Sequence, residues 1–442
     1  MQKMDPNGCM GYAEADITPS WPAELIGFAR PDNVSQGVLH KLLAQVLVWE
    51  TLTDKCCLIS IDSIGFTVEL TNLLRERIAS ELKVVREKIM VCFSHTHAAP
   101  NAGTDQKYYD FVCSQIFKAV NLAEKTGFPI KAGWGVTTAD IGINRRGTGH
   151  PVDNRLGILK ITGLDRNDLK LLLLRVTAHA NVLTSDNYLI SSDYFGVTRD
   201  LLENKYGCKV VLIQGAAGDV RPKYQQENAE YLEIHSFEAA KQKISKSSKE
   251  FYFSQSIQAL NKMADAICQA LDKVYDQITM RPISRLSMFS TEHRFFADVP
   301  AIERSKIIAQ EAKREANIDG TKWLAEIQTF HQKGIRQQFS DIEIQYFIIN
   351  NGCICGVPNE IMSAIALDVL QKSGNPFLLF NGYTNGCYSY LPTAEEYDAG
   401  GYEVLWSNLL YYQYHGNVMP LNRDTAELLT DDVVCYWRHA AK

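Results

Sequence analysis

CLISIDSIGFTVELTNLLRERIASELKVVREKIMVCFSHTH, residues 57–97, decides the fold. It opens on the apolar run Cys57–Ile61 and closes on a second one, Lys88–Phe93, each short enough to be a buried strand. Between them Leu70, Leu73, Leu74, Ile78 and Leu82 recur at helical spacing over 69–82. Strand, helix, strand is a βαβ unit, whose two strands lie parallel in one sheet. The second strand runs into Ser94-His95-Thr96-His97. Ligands in open α/β sheets gather at the carboxyl ends of strands, so these polar residues stand where chemistry is expected.

Working outward, Leu42–Trp49 joins Cys57–Ile61 through the turn-like Thr53-Asp54-Lys55, a hairpin signal. Leu156–Thr162 and Leu169–Thr177 read as a strand pair, the second ending in Ala178-His179-Ala180-Asn181. Phe195–Tyr206 reads as a helix closed by Gly207. Lys209–Gln214 is a further strand, ending in Gly215-Ala216-Ala217-Gly218-Asp219. Residues 225–280 are polar and then helical, 302–333 charged and helical as an exposed excursion, and 342–358 return to strand character. The expected fold is α/β: a single compact domain over 1–442 with mixed β-sheets flanked by helices, a helical excursion around 225–335, and the active site at strand ends.

Composition bounds the function. Lys+Arg 45 against Asp+Glu 51 gives a net charge of -6, and 46% apolar with 22% charged residues suits a folded chain rather than a disordered one. Weak acidity argues against nucleic acid as a partner. No apolar run approaches the roughly 18–20 residues of a transmembrane segment. Met1–Met10 has no apolar core of a signal peptide, so a cytoplasmic location is expected. The 11 cysteines are odd in number and mostly sit in apolar runs, as reduced core residues do. Cys353-x-Cys355 reads as alternate residues of a strand rather than a metal pair.

Two imidazoles two residues apart on an extended chain project to one side, so His95 and His97 read as two ligands, as one ligand with a neighbouring base, or as a satisfied polar pair. A metallo-β-lactamase-like site needs Asp-His directly downstream, and the chain continues Ala98-Ala99-Pro100. His179 adds a third imidazole at a strand end. Glu360 precedes the helical stretch Ile361–Lys372, where a carboxylate also suits the helix dipole. Gly382 to Pro392 is rich in tyrosine and turn residues, as a packed loop would be.

The series Gly11–Pro19, Ser94-His95-Thr96-His97, Ile143-Asn144-Arg145-Arg146, Ala178-His179, Gly215–Pro222, Gly356–Glu360, Tyr390–Tyr397 and Gly400-Gly401-Tyr402-Glu403 resembles, in order, the catalytic domain of the neutral/alkaline non-lysosomal ceramidase family. The resemblance implies a mononuclear zinc amidase. It implies Zn2+ held by His95, His179, Glu360 and Tyr390, an N/O donor set suited to that ion. It implies His97, Arg145 and Tyr402 as catalytic residues: His97 as acid/base, Arg145 and Tyr402 as donors to a developing oxyanion, with a zinc-activated water attacking the amide carbonyl. By residue type alone, Arg145 also reads as a turn residue paired with a carboxylate, and Tyr402 as a plug beside Gly400-Gly401.

Three departures stand out. Arg221 occupies the family's Ser position in G-D-V-S-P, which suggests a nearby anionic group or a structural salt bridge. The chain ends about 40 residues past Tyr402, as in a compact branch without the C-terminal immunoglobulin-like domain. No export signal is seen. The expected function is a zinc-dependent amidohydrolase cleaving a linear N-acyl amide, with a small-molecule or lipid amide as substrate. The alternatives are an ester hydrolase or amide-forming enzyme on the same site, and a non-enzymatic ligand-binding member.

Overall fold

In the computed structural model, residues 8–28, 30–165, 168–225 and 246–440 are described. The deciding stretch folds as strand Lys55–Ile61, helix Val68–Leu82 and strand Ile89–Phe93, and the strands pair in parallel from Cys57↔Ile89 to Ile61↔Phe93. Thr67 caps the helix by accepting from the Leu70 N–H, and Lys83 ends it in the left-handed region. Leu74, Ile78 and Leu82 turn into the core, whereas Leu73 faces solvent.

This unit ends a nine-stranded mixed sheet. Along the sheet lie Lys209–Gln214, Leu169–Val176, Arg155–Gly163, Phe128–Thr138, Cys9–Asp16, Leu43–Glu50, Lys55–Ile61 and Ile89–Phe93, with Arg281–Pro282 paired beside Phe128–Thr138. Parallel pairs stand at both ends and antiparallel pairs between. The edge strand Lys209–Gln214 does not leave its carbonyls bare. Gln45 Nε2 donates to Val210 O at 2.8 Å and Ser60 Oγ to Leu212 O at 2.7 Å, which satisfies buried acceptors and draws the two ends of the sheet together.

A four-stranded sheet, Leu286–Asp298, Gln337–Ile349, Gly352–Gly356 and Leu378–Asn381, packs on one face of the first. Leu47, Leu58, Met90, Leu159, Leu173 and Ile213 meet Met288, Phe347, Ile354 and Leu379 there. Each such side chain is worth about 1.5–3 kcal/mol when fully buried. Buried charge pins the register between sheets. Arg175 is 2.9 Å from the Asp153 carboxylate and donates to Asn381 Oδ1 and Phe380 O, while Arg155 forks onto both Asp153 oxygens. Arg75, fully buried on the first helix, forks onto Glu343 at 2.5 and 2.9 Å.

The expected helical excursion around 225–335 is corrected in part. Residues 226–245 lie outside the described residues. Lys246–Asp272 is a helix, but Leu286–Asp298 is a 13-residue strand paired with Gln337–Ile349. The charged stretch 302–333 forms two helices, Ile302–Ala316 and Thr321–Gln332, and it is not merely exposed. Their inner faces bury Ile308, Trp323 and Ile327 against Val404, Leu405 and Leu409, with Trp323 Nε1 donating to Val418 O at 2.8 Å. The charges occupy the opposite face. No helix among the described residues is long and apolar enough to cross a membrane.

Candidate active site and metal centre

The loop after Ile89–Phe93 does not continue as a strand. His95 sits at φ +62, the left-handed region, where side chains other than glycine are uncommon. Its N–H donates to Ser63 O at 2.8 Å, which fixes the turn. The expectation of an extended H-x-H pair is therefore corrected: the two rings stand 5.0 Å apart at 78° to each other. His179 follows strand Leu169–Val176, with its N–H on Val220 O at 3.0 Å. Glu360 is not at a helix start. It lies in the two-residue strand Glu360–Ile361, whose parallel partner is Tyr390–Leu391, so that Glu360 and Tyr390 are register partners.

His95 Nδ1 lies 2.7 Å from Ile64 O and His179 Nδ1 lies 2.6 Å from Ala217 O. A carbonyl only accepts, so each Nδ1 carries the proton and each Nε2 presents a lone pair. The two Nε2 atoms lie 3.4 and 3.3 Å from the same Glu360 oxygen, Oε2. Burial pushes His95 down to about 4 and His179 well below the usual imidazole range, so neither ring is charged at neutral pH. Burial also pushes the Glu360 carboxyl up, against the pull of His95 and Arg145. Two nitrogen lone pairs and a buried carboxylate oxygen thus face one another, and His179 Nε2 has no hydrogen-bond partner among the described residues. A divalent cation among these atoms fits that donor set.

Tyr390 reaches the Glu360 carboxyl by its hydroxyl, and so does Tyr383, whose OH donates to Oε2 at 3.2 Å. His97 completes a trio: its ring is 5.6 Å from that of His179, candidate ligand nitrogens of His95, His97 and His179 all lie within 4.8 Å of one another, and the His97 ring meets the Gly27 backbone. Arg145 follows strand Gly142–Asn144, with its N–H on Asp219 O and its Nη1 3.0 Å from Glu403 Oε1. Burial works against the Arg145 charge, but the Tyr390 oxygen and Glu403 outweigh it and hold its pKa above the ordinary value. Tyr402 opens the helical stretch Tyr402–Trp406, 6.5 Å from Tyr390 ring to ring, with its hydroxyl bonded to that of Tyr411. All seven residues singled out in the sequence are therefore brought to one place.

They gather at a cavity of about 350 Å³. His95, His97, Arg145, Glu360, Tyr390 and Tyr402 form its polar side, and Phe28, Phe66, Tyr388, Tyr411 and Tyr414 its aromatic wall. Sequence reading missed Tyr383 and Cys387. Cys387 Sγ is 3.9 Å from His95 Nδ1 and forms, with His95 and Glu360, a second potential metal-holding group. The only signal was their shared turn-rich loop. Arg221 stands opposite Ile143 in the strand Val220–Pro222, and its Nε is buried without a partner among the described residues. The anionic neighbour expected of it is not found among them.

No protein-family model matches the chain, and a search of curated proteins finds no match. Two solved structures are similar over nearly its whole length. One is neutral ceramidase from Pseudomonas aeruginosa, with a TM-score of 0.69 and 16% identity, covering 98% of this chain and 75% of that one. The other is a ceramidase complexed with C2, also at 0.69 and 16%, covering 97% and 74%. The chain therefore has a ceramidase-like α/β fold, with a large mixed sheet flanked by helices.

Proposed function

We propose that the protein is a zinc-dependent amidohydrolase that cleaves a linear N-acyl amide. The observation that carries this reading is the convergence of His95 Nε2 and His179 Nε2 on Glu360 Oε2, beside an aromatic-walled cavity. The fold's similarity to structures that are ceramidases by name supports a lipid amide as the class of substrate.

His95, His179, Glu360 and Tyr390 would hold the ion. When bound, zinc would supply a Lewis acid that lowers the pKa of water towards about 7 and polarises a carbonyl. His97 is neutral, because burial and then its neighbours His95 and His179 depress its pKa against the pull of the Gly27 backbone. It accepts a proton from the attacking water and returns it to the leaving amine, the step an amide needs most. Arg145 is a fixed charge, oriented by Glu403, for the oxygen on which negative charge develops. Tyr402 keeps its proton, since burial raises its pKa, and offers a second donor there. The aromatic wall takes the apolar acyl part and keeps water from the reacting carbonyl.

The test uses amide and ester forms of one acyl group, with protein stripped of metal by a chelator and then reloaded with zinc. Amide cleavage that disappears with the metal and returns with zinc is expected. Ester cleavage alone assigns the site to an ester hydrolase, and no turnover by zinc-loaded protein across an acyl-amide panel overturns the enzyme reading.

A further inference from the structure

Two arginines stand side by side in the chain, and only the first lines the cavity. Arg146 turns to the segment that leads into Tyr402. Its Nε donates to Glu396 Oε2 at 2.7 Å, and its Nη2 donates to the carbonyl of Gly400. Glu396 is nearly buried in the short helix Ala394–Ala399, and its other oxygen faces His150. Gly400 and Gly401 both have positive φ, +66 and +88, so the chain between that helix and Tyr402 has a conformation that glycine alone adopts freely. The approach is close: a Cβ on Gly401 would lie 3.0 Å from Arg146 Nη1.

The other end of Arg146 is tied to the Glu360 side of the site. Its backbone N–H donates to Asn144 Oδ1 at 2.9 Å, and Asn144 Nδ2 donates to Asp219 Oδ2 at 2.7 Å. Asp219 Oδ1 accepts from the N–H of Ser363, three residues after Glu360, at 2.8 Å. A chain of hydrogen bonds thus runs from Ser363, at the start of the helix that follows the carboxylate strand, through Arg146, to the turn before Tyr402.

We infer that Arg146 is a positioning residue: it sets where the Tyr402 hydroxyl stands relative to the reacting carbonyl and touches neither metal nor substrate. This rests on the role given to Tyr402 under the proposed function. Displacing a group by about 1 Å can cost on the order of a hundredfold in rate, which is the scale at stake for a turn built on two glycines of positive φ.

The test is a double-mutant cycle on zinc-loaded enzyme with an acyl-amide substrate. Arg146→Ala is expected to lower kcat at least about tenfold, with KM and zinc content held, because what is lost is placement in the transition state. In a Tyr402→Phe background the same substitution is expected to change kcat less than about twofold, since residues that act as one unit are not additive. Arg146→Lys, which keeps the charge with one donor group in place of the fork, falls between and serves if Arg146→Ala does not fold. Added guanidinium ion is expected to restore part of the Arg146→Ala rate. An equal loss in both backgrounds, or a loss of zinc or of KM in place of kcat, overturns the inference. A wild-type rate in Tyr402→Phe removes the role of Tyr402 itself, and the inference with it.

Discussion

Arg145→Lys is the substitution that separates the chemistry of the site from its architecture. The side chain does two things at once: Nη1 holds Glu403 at 3.0 Å, and the residue lines the cavity. A lysine ammonium is a compact point charge and cannot span both. It keeps the half-buried Glu403 paired, so the fold does not bear the cost of leaving that carboxylate without its partner. What is lost is a donor aimed at the developing oxyanion, worth about 2.7–4 kcal/mol, or a factor of about 100–1,000 in kcat. Steady-state kinetics on an acyl-amide substrate, zinc analysis and urea unfolding on the same sample read the three effects separately. The expected result is a kcat lower by that factor, KM within about threefold, one zinc per chain and an unchanged unfolding midpoint. A normal kcat with raised KM would show that Arg145 only binds substrate. Loss of zinc would show that it supports the ligands, and either result refutes the reasoning.

Three further outcomes are expected. His97→Ala should retain zinc and lose about 100- to 10,000-fold in rate, the usual worth of a positioned acid/base; metal analysis showing zinc lost would make it a ligand. Arg75→Ala should cost about 3–5 kcal/mol in a urea titration, because it leaves Glu343 without its buried fork; a change under about 1 kcal/mol would deny the pair any structural role. Burial raises the Asp153 carboxyl, but Arg175 and Arg155 outweigh it and hold its pKa below the ordinary value. A folded-state pKa below the unfolded one means stability that is present above about pH 4 and lost as pH falls through the folded value. Unfolding midpoints for Asp153→Asn should therefore fall below those of the native protein at pH 7, with the gap closing in acid; a gap independent of pH would contradict this.

The elements that sequence reading found are those in which one periodicity dominates. Leu74, Ile78 and Leu82 mark one helix face, and unbroken apolar runs such as Lys209–Gln214 mark strands buried on both sides. Histidines at the ends of such strands were legible for the same reason. The rest depends on tertiary context. Glu360 and Tyr390 meet because two-residue strands pair in parallel across 30 positions, and strands that short carry no period. His95 leaves the extended path because its N–H finds Ser63 O, a long-range partner invisible in the chain. Trp323 and Ile327 sit among lysines and glutamates, so the average charge of 302–333 concealed a buried face that backs the Tyr402 turn. Tyr383 and Cys387 lie in a loop whose turn residues announce a bend and nothing of what it encloses.

Zinc-edge X-ray absorption on metal-reconstituted protein tests the central claim most directly. A first shell of nitrogen and oxygen at about 2.0–2.2 Å, with the outer-shell scattering of imidazole, is the result expected of His95, His179, Glu360 and Tyr390. A sulfur shell near 2.3 Å, as Cys387 would give, or protein that binds no stoichiometric zinc, would contradict it.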